Sequence, residues 1–137
     1  ESQSFNKGKK IVVCKIKQVT LGLSICYDIR FPALFRDLTK KGAQIIFIPS
    51  AFTVPTGKDH WETLLRTRAI ENTVFVVATA QCGRHHNNRK TYGHSMIINP
   101  WGKIIRKTTS LPKILNSSIN LEEIKVTRLR MPSIYHD

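Results

Sequence analysis

Two short apolar runs open the patterned part of the chain, at residues 11–14 and 19–25, with Lys15 and the polar pair Lys17-Gln18 between them. That spacing predicts two strands near enough to pair antiparallel. The second run stops on Cys26, and polar and charged residues follow at once. Pro32 then suits a helix's first turn, where its missing N–H does no harm, and Ala33, Leu34, Phe35 and Leu38 give that helix an apolar face. Lys40-Lys41-Gly42 supplies a basic last turn and a terminating glycine. Residues 44–48 form a nearly unbroken apolar run ended by Pro49, the pattern of a central strand buried on both faces. After a loop over residues 50–57, Trp61, Leu64, Leu65, Arg68 and Ala69 fall at helical spacing and predict a long helix over 58–72. Residues 74–79 read as another buried strand and residues 81–92 as a polar loop. Asn99-Pro100-Trp101-Gly102 between two apolar runs is a hairpin signature. A last strand is expected over 113–119, then a short helix over 121–129 opened by a capping box of Asn120 and Glu123.

Strands alternating with helices predict a layered α/β fold. The helices need a sheet, and that sheet needs a cover on its other face, so half of a sandwich is unaccounted for. At 137 residues the chain fits one domain. No apolar run approaches the roughly 20 residues of a membrane span, and no secretory signal peptide is expected. The three cysteines, Cys14, Cys26 and Cys82, are odd in number and irregularly spaced, which argues against a disulfide framework and for a reducing, cytoplasmic setting. No paired-ligand spacing suggests a metal, and no cofactor is expected. The net charge of +13 invites a nucleic-acid reading. Its distribution argues against one: ten cationic residues against four acidic in 1–60, and twelve against five in 61–137, with no basic run or aromatic ladder.

A strand that ends at Cys26, with a helix about five residues later, puts a thiol on an exposed turn beyond a sheet edge. A thiol there can meet a carbonyl carbon, whereas inside a strand it is a small buried hydrophobe. Asp28 and Arg30, just past it, read as an ion pair fixing the turn or as substrate contacts. Glu62 either complements the start of its helix or points into a site above the sheet. His85, His86 and His94 are candidate bases that no spacing rule separates.

The run Gly22-Leu23-Ser24-Ile25-Cys26-Tyr27-Asp28-Ile29-Arg30-Phe31-Pro32 closely resembles the nucleophile motif of the nitrilase superfamily of carbon–nitrogen hydrolases. The resemblance continues through Pro49-Ser50-Ala51-Phe52, His60-Trp61-Glu62, Leu65-Arg66-Thr67-Arg68-Ala69-Ile70-Glu71-Asn72 and Ala80-Gln81-Cys82-Gly83-Arg84-His85-His86. It then covers Tyr92-Gly93-His94-Ser95-Met96, Asn99-Pro100-Trp101-Gly102 and Arg130-Met131-Pro132, most like the Nit-type amidases. It implies a four-layer αββα sandwich of which residues 1–137 would be the C-terminal half, and a Glu–Lys–Cys triad acting on a small carboxylate-bearing amide through a thioester. On this sequence it makes Cys26 the nucleophile and the Tyr27 N–H an oxyanion donor. Glu1 matches the family's second glutamate, which positions the lysine, and Arg30 a substrate-carboxylate contact. The family's base glutamate and catalytic lysine have no counterpart from Glu1 onward, so the expectation is a chain inactive by itself. The expected partner is a second copy or a complementing N-terminal half. The competing readings are a catalytically dead relic and a basic binding module. Two departures stand out: the turn before the nucleophile strand has Lys17-Gln18 in place of a glycine-bearing turn, which predicts strain there, and Asn99 stands where the family has Asp.

Overall fold

In a computed structural model, which describes residues 8–136, the chain forms one six-stranded mixed sheet with helices on one face and a two-stranded sheet at its rim. β1 (Val13–Ile16) and β2 (Val19–Leu23) make the expected antiparallel hairpin, with Ile16 opposite Val19. Its turn is strained as predicted: Lys17 has φ +55°, a left-handed conformation that glycine would adopt without cost. A 3₁₀ turn over Cys26–Arg30 leads into α1 (Pro32–Lys40), which has Pro32 at its first position and ends just before Gly42 at φ +92°. β3 (Ile45–Phe47) lies parallel to β2.

The long helix starts earlier than its apolar spacing suggests. α2 (Val54–Thr56), with Pro55 in its first turn, runs through a π-helical turn over Gly57–Trp61 into α3 (Glu62–Asn72). Gly57 is required by close approach, since a Cβ there would lie 2.3 Å from the Tyr92 ring. The helix ends on Thr73 in left-handed backbone, and β4 (Phe75–Ala78) follows, parallel to β3. Each parallel pair is thus joined by a helical crossover.

Residues 81–92 are not the plain loop expected. β5 (Cys82–Arg84) and β6 (Lys90–Tyr92) pair antiparallel around a 3₁₀ turn. With only three residues each and no apolar alternation, they give no strand signal; long-range bonds such as Tyr92 N–H to Phe52 C=O hold them. β7 (Met96–Ile98) and β8 (Ile104–Lys107) form the expected hairpin at the far edge, completing the order β1-β2-β3-β4-β7-β8. Asn99 builds its turn by accepting from the backbone N–H groups of Trp101 (3.1 Å) and Lys103 (2.9 Å). Its amide donates to Glu123 at 2.9 Å, a link that an aspartate could not make.

The last two expectations need correction. Residues 113–119 form no strand; they cross the sheet as irregular chain. α4 (Glu122–Arg130) is present, but only half of its capping box forms: Asn120 Oδ1 accepts from the Glu122 N–H, while Glu123 bonds to Asn99.

The core lies between the sheet and α1 and α3. Ile46, Ile48, Val76, Ala78, Met96 and Ile98 point into it and meet Phe35, Leu38, Trp61, Leu65 and Ala69. Residues of opposite parity, Leu21, Ile45, Phe47 and Val77, lie on the other face and are only half-buried, and Leu23 is 42% exposed. Residues 45–48 are therefore apolar throughout, yet fully buried on one face and only half-buried on the other. Among the described residues, no helix is long and apolar enough to cross a membrane.

Candidate active site

The chain after β2 is pinned on every side. The Ser24 N–H and hydroxyl both donate to Phe47 C=O (3.2 and 3.0 Å), and the Cys26 N–H donates to Pro49 C=O at 2.8 Å. Asp28 Oδ2 accepts from the Ile25 N–H at 2.8 Å, and Ile29, fully buried, gives its carbonyl to Arg68 Nε at 2.8 Å. Arg68 is buried itself, paired with Glu71 at 2.8 Å and stacked over Phe35. Between these anchors Cys26 has φ +46°. A non-glycine residue held left-handed costs about 1–3 kcal/mol, which persists only where the surroundings over-determine it.

The turn brings Cys26 into the lining of a wide-mouthed hollow of about 640 Å³ beyond the C-terminal ends of β2, β3 and β4. Its polar lining comes from Cys26, Ser50, Thr79, Gln81, Ser95 and Lys113. This is where parallel α/β sheets carry their sites. The Ser95 hydroxyl is committed to the wall, accepting from the Ala80 N–H at 2.9 Å. The first 3₁₀ bond runs from the Asp28 N–H to Ile25 C=O, so the Tyr27 N–H precedes it and has no acceptor within the turn. That N–H follows the thiol directly in the chain.

The other residues singled out from the sequence are not gathered at this hollow. Arg30 and Asp28 do not pair: Asp28 caps Ile25, while Arg30 donates to His60 Nδ1 at 3.3 Å and packs over the rings of Tyr27 and Phe52. Glu62 meets Lys107 of β8 at 2.6 Å. Neither Arg30 nor Glu62 lines the hollow, and Glu1 lies outside the described residues. Of the histidines, His94 donates from Nδ1 to Tyr92 C=O at 2.7 Å, stacks on Tyr92, and accepts Trp61 Nε1–H on its own carbonyl at 2.9 Å. His85 bonds Thr91 at 2.6 Å within the β5–β6 hairpin. Cys14, Cys26 and Cys82 are all free thiols. Among the described residues, no group of three or more His, Cys, Asp or Glu side chains is placed to hold a metal ion. Sequence reasoning missed Ser50, Thr79, Gln81, Ser95 and Lys113 as lining residues; only the position of the first two at the ends of apolar strands could have signalled them.

The carbon–nitrogen hydrolase family model matches residues 1–129. The chain is 53% identical over 116 residues to a deaminated glutathione amidase of Synechocystis, an alignment covering 85% of this chain and 43% of that protein. The crystal structure of Saccharomyces cerevisiae Nit3, described as a member of branch 10 of the nitrilase superfamily, superposes with a TM-score of 0.91 at 34% identity, over 96% of this chain and 49% of that one. An amidase from Nesterenkonia, whose active-site cysteine carries the acetamide moiety of fluoroacetamide, superposes with a TM-score of 0.75 at 27% identity, over 82% and 43% of the two chains. This chain therefore spans about half the length of the relatives it matches. With its matched length, its sheet order and its pinned cysteine turn, it belongs to the carbon–nitrogen hydrolases of the nitrilase superfamily, in the Nit-type amidase branch.

Proposed function

We propose that this chain is the nucleophile-bearing, C-terminal half of a cysteine amidase acting on a small carboxylate-bearing amide. The observation that carries this reading is Cys26, held left-handed in the lining of the hollow with the Tyr27 N–H beside it. In the proposed reaction a carboxylate base takes the thiol proton and the sulfur attacks the amide carbon. The tetrahedral oxyanion is met by the Tyr27 N–H and a cation. The intermediate collapses with loss of ammonia or an amine, which leaves with the proton the base had taken, and water then hydrolyses the thioester. Glu1 is assigned to positioning that cation by its match to the family motif.

No carboxylate or imidazole lines the hollow among the described residues. The base must reach Cys26 from elsewhere, and the half-covered far face of the sheet is where a second layer carrying it would pack. We therefore expect the 137-residue chain to be nearly inactive alone and to gain activity when co-folded with the N-terminal half of a Nit-type relative. The protein also works as a pair of such units in this reading.

The test measures ammonia released from an ω-amide of a keto-acid, with a Cys26→Ala control. Negligible release by the chain alone, with Cys26-dependent release upon complementation, is the expected result. Turnover of about 1 s⁻¹ or more by the chain alone would refute the claim that it is incomplete. Release that survives Cys26→Ala would refute the nucleophile assignment.

A further inference from the structure

The hollow over Cys26 does not end at its own rim. It shares Ala80, Gln81, Ser95 and Lys113 with a second hollow of about 480 Å³ that extends toward Cys82 and His85. Lys113 lines both, and a third, smaller depression over β4 and β7 as well. It begins the irregular segment that crosses the sheet where a strand was expected, so its backbone sits outside the ladder.

The charge balance of these hollows is one-sided. Among the described residues, no aspartate or glutamate lines either of the two larger ones, and Lys113 is the one Lys or Arg in their linings. Its ammonium makes no hydrogen bond or ion pair among the described residues, whereas Arg30 is occupied by His60 and two rings, and Lys107 by Glu62. An unpaired ammonium on a flexible stem, in a hollow with no acidic lining among the described residues, is a point charge available to an anion.

We infer that Lys113 is a specificity-determining residue whose ammonium pairs with a carboxylate on the substrate while the reacting carbon lies at Cys26. This rests on the amidase reading above for the identity of the reacting carbon. It does not rest on that reading for the electrostatic claim, which is that Lys113 favours anionic electrophiles at the Cys26 sulfur.

The first arm of the test needs no turnover. Iodoacetate and iodoacetamide alkylate a thiolate by the same displacement of iodide and differ in charge. Their rates at Cys26 are read by mass spectrometry, with Cys14 on β1 as the internal reference. Lys113→Met lowers the iodoacetate-to-iodoacetamide ratio about five- to tenfold, the size expected for one charge at a partly solvated site. Lys113→Glu lowers it further and Lys113→Arg keeps it. A ratio that stays the same in Lys113→Met and Lys113→Glu overturns the assignment. In the second arm, on the complemented enzyme, Lys113→Met raises KM about tenfold for the acid-bearing amide and leaves that of a neutral amide of equal length unchanged. Equal effects on the two amides also overturn it. If no amide is hydrolysed at all, the amidase reading falls, and the alkylation ratio alone decides the role of Lys113.

Discussion

Cys26 and Thr73 are both non-glycine residues in left-handed backbone, at φ +46° and +51°, and both stand where one element hands over to another. They are held there by different means. Thr73 caps α3, and its own side chain contributes: the hydroxyl donates to Asn72 C=O at 2.7 Å and accepts Arg128 Nε–H at 2.9 Å. The Cys26 side chain helps nothing in its turn. Its conformation is imposed by bonds from Pro49, Asp28 and Arg68 to its neighbours and its own N–H. Thr73 offsets its strain locally, whereas the strain at Cys26 is held entirely by its surroundings, which is the contrast that the amidase reading uses.

The largest effect expected from breaking this contrast comes from Arg68. Arg68→Met leaves Ile29 C=O without its donor and Glu71 without its ion-pair partner, with only the 3.3 Å bond from Asn72 remaining to that carboxylate, and should destabilise the fold by about 2–4 kcal/mol in denaturant titration. It should also change the alkylation rate of Cys26 as the turn relaxes. A loss below about 1 kcal/mol with unchanged reactivity would mean that the turn does not depend on this anchor. Next, Cys26→Gly should raise stability by about 1 kcal/mol relative to Cys26→Ala, because both lack the thiol and only glycine relieves the backbone. Equal midpoints would show that Cys26 is not strained. The smallest effect is at Thr73: Thr73→Gly gains the same backbone relief but loses two hydrogen bonds, and the two should cancel to within about 0.5 kcal/mol. A clear gain there would erase the distinction between the two sites.

The parts of the molecule legible in the sequence are those where local chemistry and burial agree. Pro32 starts α1, Gly42 follows its end, the apolar run at 44–48 holds β3, and Asn99 to Gly102 make the β7–β8 turn. The cysteine turn was legible because an apolar strand ends on it. Distant contacts decide the remainder. β5 and β6 exist through their pairing with each other and through bonds to residues 50 and 52, which no local pattern encodes. The segment at 113–119 has a strand's composition, but pairing also needs an edge in register, and none accepts it among the described residues. Glu123 has the spacing of a cap and was drawn instead to Asn99, a partner 24 residues away. Of the candidate site, the place of Cys26 on a turn beyond the end of β2 could be read in advance. Lys113 could not, since its place over the hollow follows from where an irregular segment happens to cross.

The π turn at Gly57–Trp61 has a consequence for how this scaffold can be altered. Its i→i+5 bonding accommodates a residue surplus to α-helical spacing. Removing one residue there would restore α-helical spacing and leave the stretches on either side close to their present rotation, because the turn already absorbs the surplus. Trp61 could then keep its seat against Phe52 and the His94 carbonyl. Removing one residue from the regular α-helix of α3 would instead rotate the two sides of the cut by about 100° relative to each other. The π turn is therefore the place along this helix where a one-residue deletion disturbs the flanking packing least.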